Sequence, residues 1–133
     1  MFYLFNQVNS GGFFVVDEKV TQNVIIEATS ADDANIRAET IGIYFDGVNQ
    51  GEDCECCGDR WGKVSDDDGT DEPLLYDKPP EEFSPWFLKE GVVYCRVFFL
   101  NGNVKEYVVP NDNKERLKKK TEKMIESYRM MLN

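Results

Sequence analysis

The chain has 133 residues, the size of one ordinary domain, and its nine Phe, six Tyr and two Trp can supply a single core. A formal charge of −10 argues against nonspecific binding to nucleic acid or to anionic membranes. Histidine is absent, which removes the commonest general base, every Ser-His or Cys-His nucleophile pair and all mixed Cys/His zinc sites.

The N-terminal stretch MFYLFNQVNSGG has no basic region followed by a long apolar run, so it does not read as a signal peptide. No run approaches the roughly 18 apolar residues of a membrane-spanning helix. A cytoplasmic setting with reduced thiols is the expectation. The first third then reads as strand, turn, strand, strand, helix. MFYLFNQV is followed by turn chemistry in NSGG, by the apolar run FFVV at 13–16, and by the β-branched run NVIIEAT. Ser30 is placed to cap a helix over 31–41. Asp33 lies three residues on, Ala34, Ala38 and Ile41 form an apolar stripe, and Gly42 follows as a stop.

From 46 to 82 the pattern changes: thirteen Asp and Glu stand against three Lys and Arg, and apolar residues are sparse. A structureless stretch of that length is uncommon in a compact domain unless it is functional, stapled by a ligand or disordered. Within it lies GEDCECCGDRWG, which holds three of the four cysteines. Cys54, Cys57 and Gly58 have the C-x-x-C-G spacing of a zinc knuckle, in which a tight turn aims two thiolates at one ion. Cys56 lies between them, and the remaining thiol is Cys95, so Cys54, Cys56, Cys57 and Cys95 form a conceivable tetrathiolate zinc site. Asp53 and Asp59 are possible oxygen substitutes. Surrounding carboxylates raise thiol pKa and disfavour a nucleophilic cysteine, whereas a divalent ion gains from them. Reduced structural thiols and a redox pair stay open beside the metal reading. Trp61 is expected to pack under the turn. The acidic run with Asp66, Asp67 and Asp68 does not fit a calcium loop: with Gly69 as the invariant glycine, Val64 and Leu75 fall where acids are required.

Beyond the loop, two strand-like runs flank Asn101-Gly102, a strong hairpin signal. Residues 113–131 then show helical apolar spacing over about five turns, with a basic face. That face offers a grip for an acidic partner or, through its Met-rich end, a homodimer contact. The expected fold class is α+β in one domain over 1–133. An antiparallel sheet from about 2–29 and 92–109 would carry helices at 31–41 and 113–131, with 46–82 as a long acidic loop.

The stretch IGIYFDGVNQGEDCECCGDRW, followed by DGTDEP and a Tyr, resembles a family of small uncharacterised proteins of tailed bacteriophages. The likeness covers roughly 24–77 and rests on a GIYFDGV segment (Gly42 to Val48) and a DCxCCGDRW box (Asp53 to Trp61). It implies phage origin and the host cytoplasm, without a reaction. The expected function is a non-enzymatic accessory protein that binds a host or phage protein through its acidic, zinc-organised loop, with nucleic-acid mimicry as one mode of action. Asp53, Asp59, Arg60, Trp61, Asp66, Asp67 and Asp68 are the expected binding residues, and neither nucleic acid nor membrane is an expected partner. The alternatives are a small metal- or thiol-dependent enzyme centred on the cysteines and a minor virion or assembly component.

Overall fold

The structure is a computed structural model that describes residues 1–8, 14–83 and 88–110. The turn expected at Asn9–Gly12 and the helix expected over 113–131, with its basic face and dimer contact, lie outside the described residues.

The apolar, β-branched runs form strands as their composition predicts. β1 (Phe2–Asn6) pairs antiparallel with β2 (Asn23–Glu27), with Phe2 opposite Glu27 and Asn6 opposite Asn23. β3 (Val93–Phe98) and β4 (Val104–Val108) form the hairpin expected around Asn101-Gly102. Gly102 there has φ +91°, and the Phe99 N–H donates to the Asn103 carbonyl at 2.8 Å. The sheet order is β1-β2-β3-β4, and its central pair, β2 with β3, is parallel. The sheet is therefore mixed, a correction to the antiparallel expectation. Parallel neighbours need a long crossover, and residues 28–92 supply it, with an α-helix followed by the acidic stretch. The fold remains α+β. A second correction concerns 14–16, which form no strand; Val16 is exposed, and residue 15 instead serves as a hydrogen-bond partner of buried Gln7.

α1 (Ala31–Thr40) begins as expected, with the Ser30 hydroxyl accepting from the Asp33 N–H at 3.1 Å. It packs Ala31, Ala34 and Ala38 against one sheet face, formed by Tyr3, Phe5, Val24 and Ile26. Ile43, Phe45 and Trp61 complete that core. The opposite face carries Ile25, Cys95, Val97 and Tyr94, covered by Leu75. Burying apolar side chains on both faces of a four-stranded sheet leaves little of its centre in water, and Val24, Cys95 and Val97 are fully buried. Among the described residues, no helix is long and apolar enough to cross a membrane.

Candidate metal centre

The cysteine-bearing elbow is built from carboxylates and an arginine. The Asp53 side chain is 0% exposed, and that of Arg60 is 4% exposed. A buried carboxylate without partners would cost several kcal/mol, and here its acceptor capacity is taken up. Oδ1 accepts from the Tyr44 hydroxyl at 2.6 Å, and Oδ2 accepts from the Arg60 backbone N–H at 2.8 Å. The Arg60 Nε lies 3.6 Å from Asp53 Oδ1 and donates to the Tyr44 oxygen at 3.2 Å. Arg60 Nη1 donates onward to Oε1 of buried Gln7 at 2.9 Å, and the Val8 N–H donates to the Arg60 carbonyl at 2.9 Å. The elbow is thereby fastened to the end of β1. Burial, and then the hydrogen bond to Asp53, push the Tyr44 hydroxyl above its ordinary pKa of 10.0.

Other residues of the box close the loop around this pair. The Gly47 carbonyl accepts from Glu52 and Asp53 N–H groups, and its missing side chain leaves the space that the Asp53 carboxylate fills. The Asp59 carboxylate accepts from the Val48 N–H at 2.9 Å. Trp61, 2% exposed, sits in the first core, so the expectation that it packs inward holds. Asp66 caps α1 by accepting from the Ala31 N–H at 3.0 Å, and Asp68 accepts from the Ser65 N–H and hydroxyl. Of the residues expected to bind a partner, Asp53, Arg60 and Trp61 are therefore turned inward. Asp59, Asp66 and Asp68 are exposed but hold local structure, and Asp67 is exposed. Sequence spacing marked all of them as notable without separating acids that bind from acids that staple. The partners that organise the elbow, Gln7 and Tyr44, were not singled out as site residues, and only a D-x6-R spacing with a nearby tyrosine hints at them.

On this frame Cys54 to Gly58 makes a single tight turn. The Cys54 carbonyl accepts from the N–H groups of Cys57 and Gly58, and Gly58 takes φ +81°, which favours glycine. The turn brings the thiols of Cys54, Cys56 and Cys57 to within 4.8 Å of one another, all exposed. Sγ of Cys56 lies 2.6 Å from Cys54 and 3.7 Å from Cys57. Zinc–sulfur bonds of about 2.3 Å at tetrahedral angles place sulfurs about 3.8 Å apart, so one of these spacings already suits such an ion and the other must open by about 1 Å. Cys95 does not join them. It lies fully buried on β3 in the second core, where burial pushes its thiol up to about 12. The expected tetrathiolate is thereby corrected to a three-thiol cluster: strand pairing turns Cys95 to the face covered by Leu75.

Thiol acidity follows the cluster rather than the surrounding acids. Cys54 is lowered from its ordinary value, first by the hydrogen bond from the Cys56 thiol and then by backbone N–H groups of Cys56 and Cys57. Cys56 is raised to about 11, chiefly because it is hydrogen-bonded to Cys54 and Cys57 and faces their charge. An ion that displaces the thiol protons can hold all three sulfurs. The site can take a thiophilic metal ion. A separate cleft of about 380 Å³ lies on the other sheet face, between β1 and the 62–77 segment, with Leu4, Lys63, Asp68 and Tyr76 in its wall. Asp68 in its wall is engaged with Ser65, and Asp77 also lines it.

The model of a domain of unknown function (DUF7296) matches residues 1–117, and the chain belongs to that family. The match takes in β1 to β4, α1 and the cysteine elbow. No curated protein and no solved structure matches the chain.

Proposed function

We propose that this family member is a non-enzymatic, phage-encoded accessory protein that carries zinc on its cysteine elbow and docks on a host or phage protein in the host cytoplasm. One observation carries the reading. Within the elbow the side chains of Tyr44, Asp53, Asp59, Arg60 and Trp61 are engaged in holding the loop, while three thiols converge at its exposed tip. A loop fixed from beneath and soft-ligand-rich at its surface suits ion binding and recognition. The phage setting rests on the likeness of the DCxCCGDRW box.

The dense negative charge supports a partner with a basic surface, and a nucleic-acid-binding protein is one such partner. The acids at the tip, Glu52 and Glu55, flank the thiols, and Asp67, Asp71 and Asp77 extend the charge along the loop. The absence of histidine and the inward use of the buried acids speak against acid–base catalysis.

The test is metal analysis of protein purified without added metal, followed by capture from a host extract with the metal present, chelated and restored. One zinc per chain and capture that is lost on chelation and regained on reloading are expected. Metal-free protein with unaltered capture would discard the zinc component, and no specific capture in any state would discard the docking role.

A further inference from the structure

Resting on the metal-carrying elbow proposed above, we infer that its site is an open three-thiolate socket whose outward coordination position is filled by a histidine imidazole of the partner protein, so that the ion itself bridges the two chains. Three observations carry the inference. The first is the count of ligands: Cys54, Cys56 and Cys57 converge, and among the described residues no other ligand atom joins them. Zinc in a structural site takes a full tetrahedral set, so three thiolates are one ligand short among the described residues.

The second is that the residues best placed in sequence to close the set are committed elsewhere. Cys95 lies in the core of the opposite sheet face. Asp53 has no exposed side-chain surface and accepts from Tyr44 and Arg60, while Asp59 accepts from the Val48 N–H. Drawing any of them to the sulfurs would break a buried pair or the loop closure. All three cysteines are exposed, so the open position faces solvent rather than the core.

The third is charge. A divalent ion on three thiolates carries a net negative charge, and Glu52, Glu55 and Asp59 surround it. A fourth thiolate or a carboxylate would add another negative charge at close range, whereas a neutral imidazole completes the tetrahedron without one. This chain has no histidine, so neither it nor a second copy can donate that group. An imidazole in that position therefore comes from a different protein, and a basic surface around its histidine would complement the elbow.

Cobalt(II) bound to the full-length reduced protein, titrated with imidazole, tests this. We expect one cobalt per chain with sulfur-to-cobalt charge transfer. That band weakens in Cys56→Ser, which loses one of the three sulfur ligands, and persists unchanged in Cys95→Ala. Imidazole should produce a saturable shift of the ligand-field bands without displacing the metal. As a measure that does not depend on the buried variant folding, the cobalt-loaded wild-type protein should shield three thiols from alkylation. A cobalt spectrum indifferent to imidazole, or one showing four thiolates, overturns the open socket and leaves the metal-bearing elbow standing. Failure to bind cobalt at all overturns both.

Discussion

A methyl group added at Gly47 would lie 2.0 Å from Oδ2 of Asp53 and 2.8 Å from Cε2 of Tyr44. Both are parts of a packed, buried network, so Gly47→Ala must push the carboxylate away from its donors. Breaking one side of a buried charge pair costs about 3–5 kcal/mol, and we expect this substitution to approach that range. The same change in an Asp53→Ala background should cost less, because the nearer obstruction, the carboxylate, is gone while Cε2 of Tyr44 remains. Urea unfolding of the four proteins of this cycle measures the coupling. Additive costs would place the effect in the backbone rather than in the collision. Arg60→Met belongs to the same scale: it strands Asp53 in a buried site, and a loss of about 3–5 kcal/mol is expected in the same assay.

At the scale of elements, the turn between Leu75 and Lys78 holds two non-glycine residues in the left-handed region, Tyr76 at φ +53° and Asp77 at φ +65°. Such mirror-image turns favour Asn-Gly, and a side chain there costs about 1–2 kcal/mol. Tyr76 is retained by its hydroxyl, which accepts from Asn6 at 2.7 Å, and by its ring beside Phe83. Asp77 has no comparable anchor, so Asp77→Gly should stabilise the protein by about 0.5–1 kcal/mol, read as a rise in the urea midpoint. The same elements mark how far the sequence could be read. β2, β4 and the Asn101-Gly102 hairpin were legible because β-branched alternation and one turn dipeptide determine them locally, and Ser30 marked the start of α1. The parallel β2–β3 pairing was not, since nothing local encodes which distant strand lies alongside. Val15 and Val16 have strand composition but are recruited as loop beside Gln7, a tertiary override of propensity. At the elbow the convergence of Cys54, Cys56 and Cys57 could be anticipated from spacing, but the fate of Cys95 depended on strand register. The same holds for Asp53, whose buried role requires Tyr44 and Gln7 to arrive from separate segments.

For the whole molecule, acidity and thiol chemistry report how the parts are joined. Asp17 is held below its ordinary 3.8 chiefly by the N–H groups of Val20 and Lys19, and Asp33 is held below it chiefly by Arg37. A carboxyl depressed in the folded state adds stability above its unfolded pKa, and that contribution fades as pH falls through the folded value. Stability should therefore decline on acidification below about pH 4, with a shallower slope in Asp17→Asn and Asp33→Asn when unfolding is followed against pH. The thiols give the sharper test of the architecture. The elbow is fastened by Asp53, Arg60, Tyr44 and Gln7, not by sulfur, and its three cysteines are exposed. A metal that only occupies its tip cannot be what folds the domain, in contrast to a zinc finger, where the ion supplies the folding energy. The metal-free protein should thus stay cooperatively folded, and replacing Cys54, Cys56 and Cys57 together by Ser should leave it within about 1 kcal/mol of metal-free wild type. In the native metal-free state a thiol reagent should titrate these three cysteines readily. Cys95, fully buried and pushed up to about 12, should react only once denaturant opens the second core. Four equally reactive thiols before unfolding would mean that β3 does not bury Cys95, and with it the register that keeps that thiol from the elbow would fall.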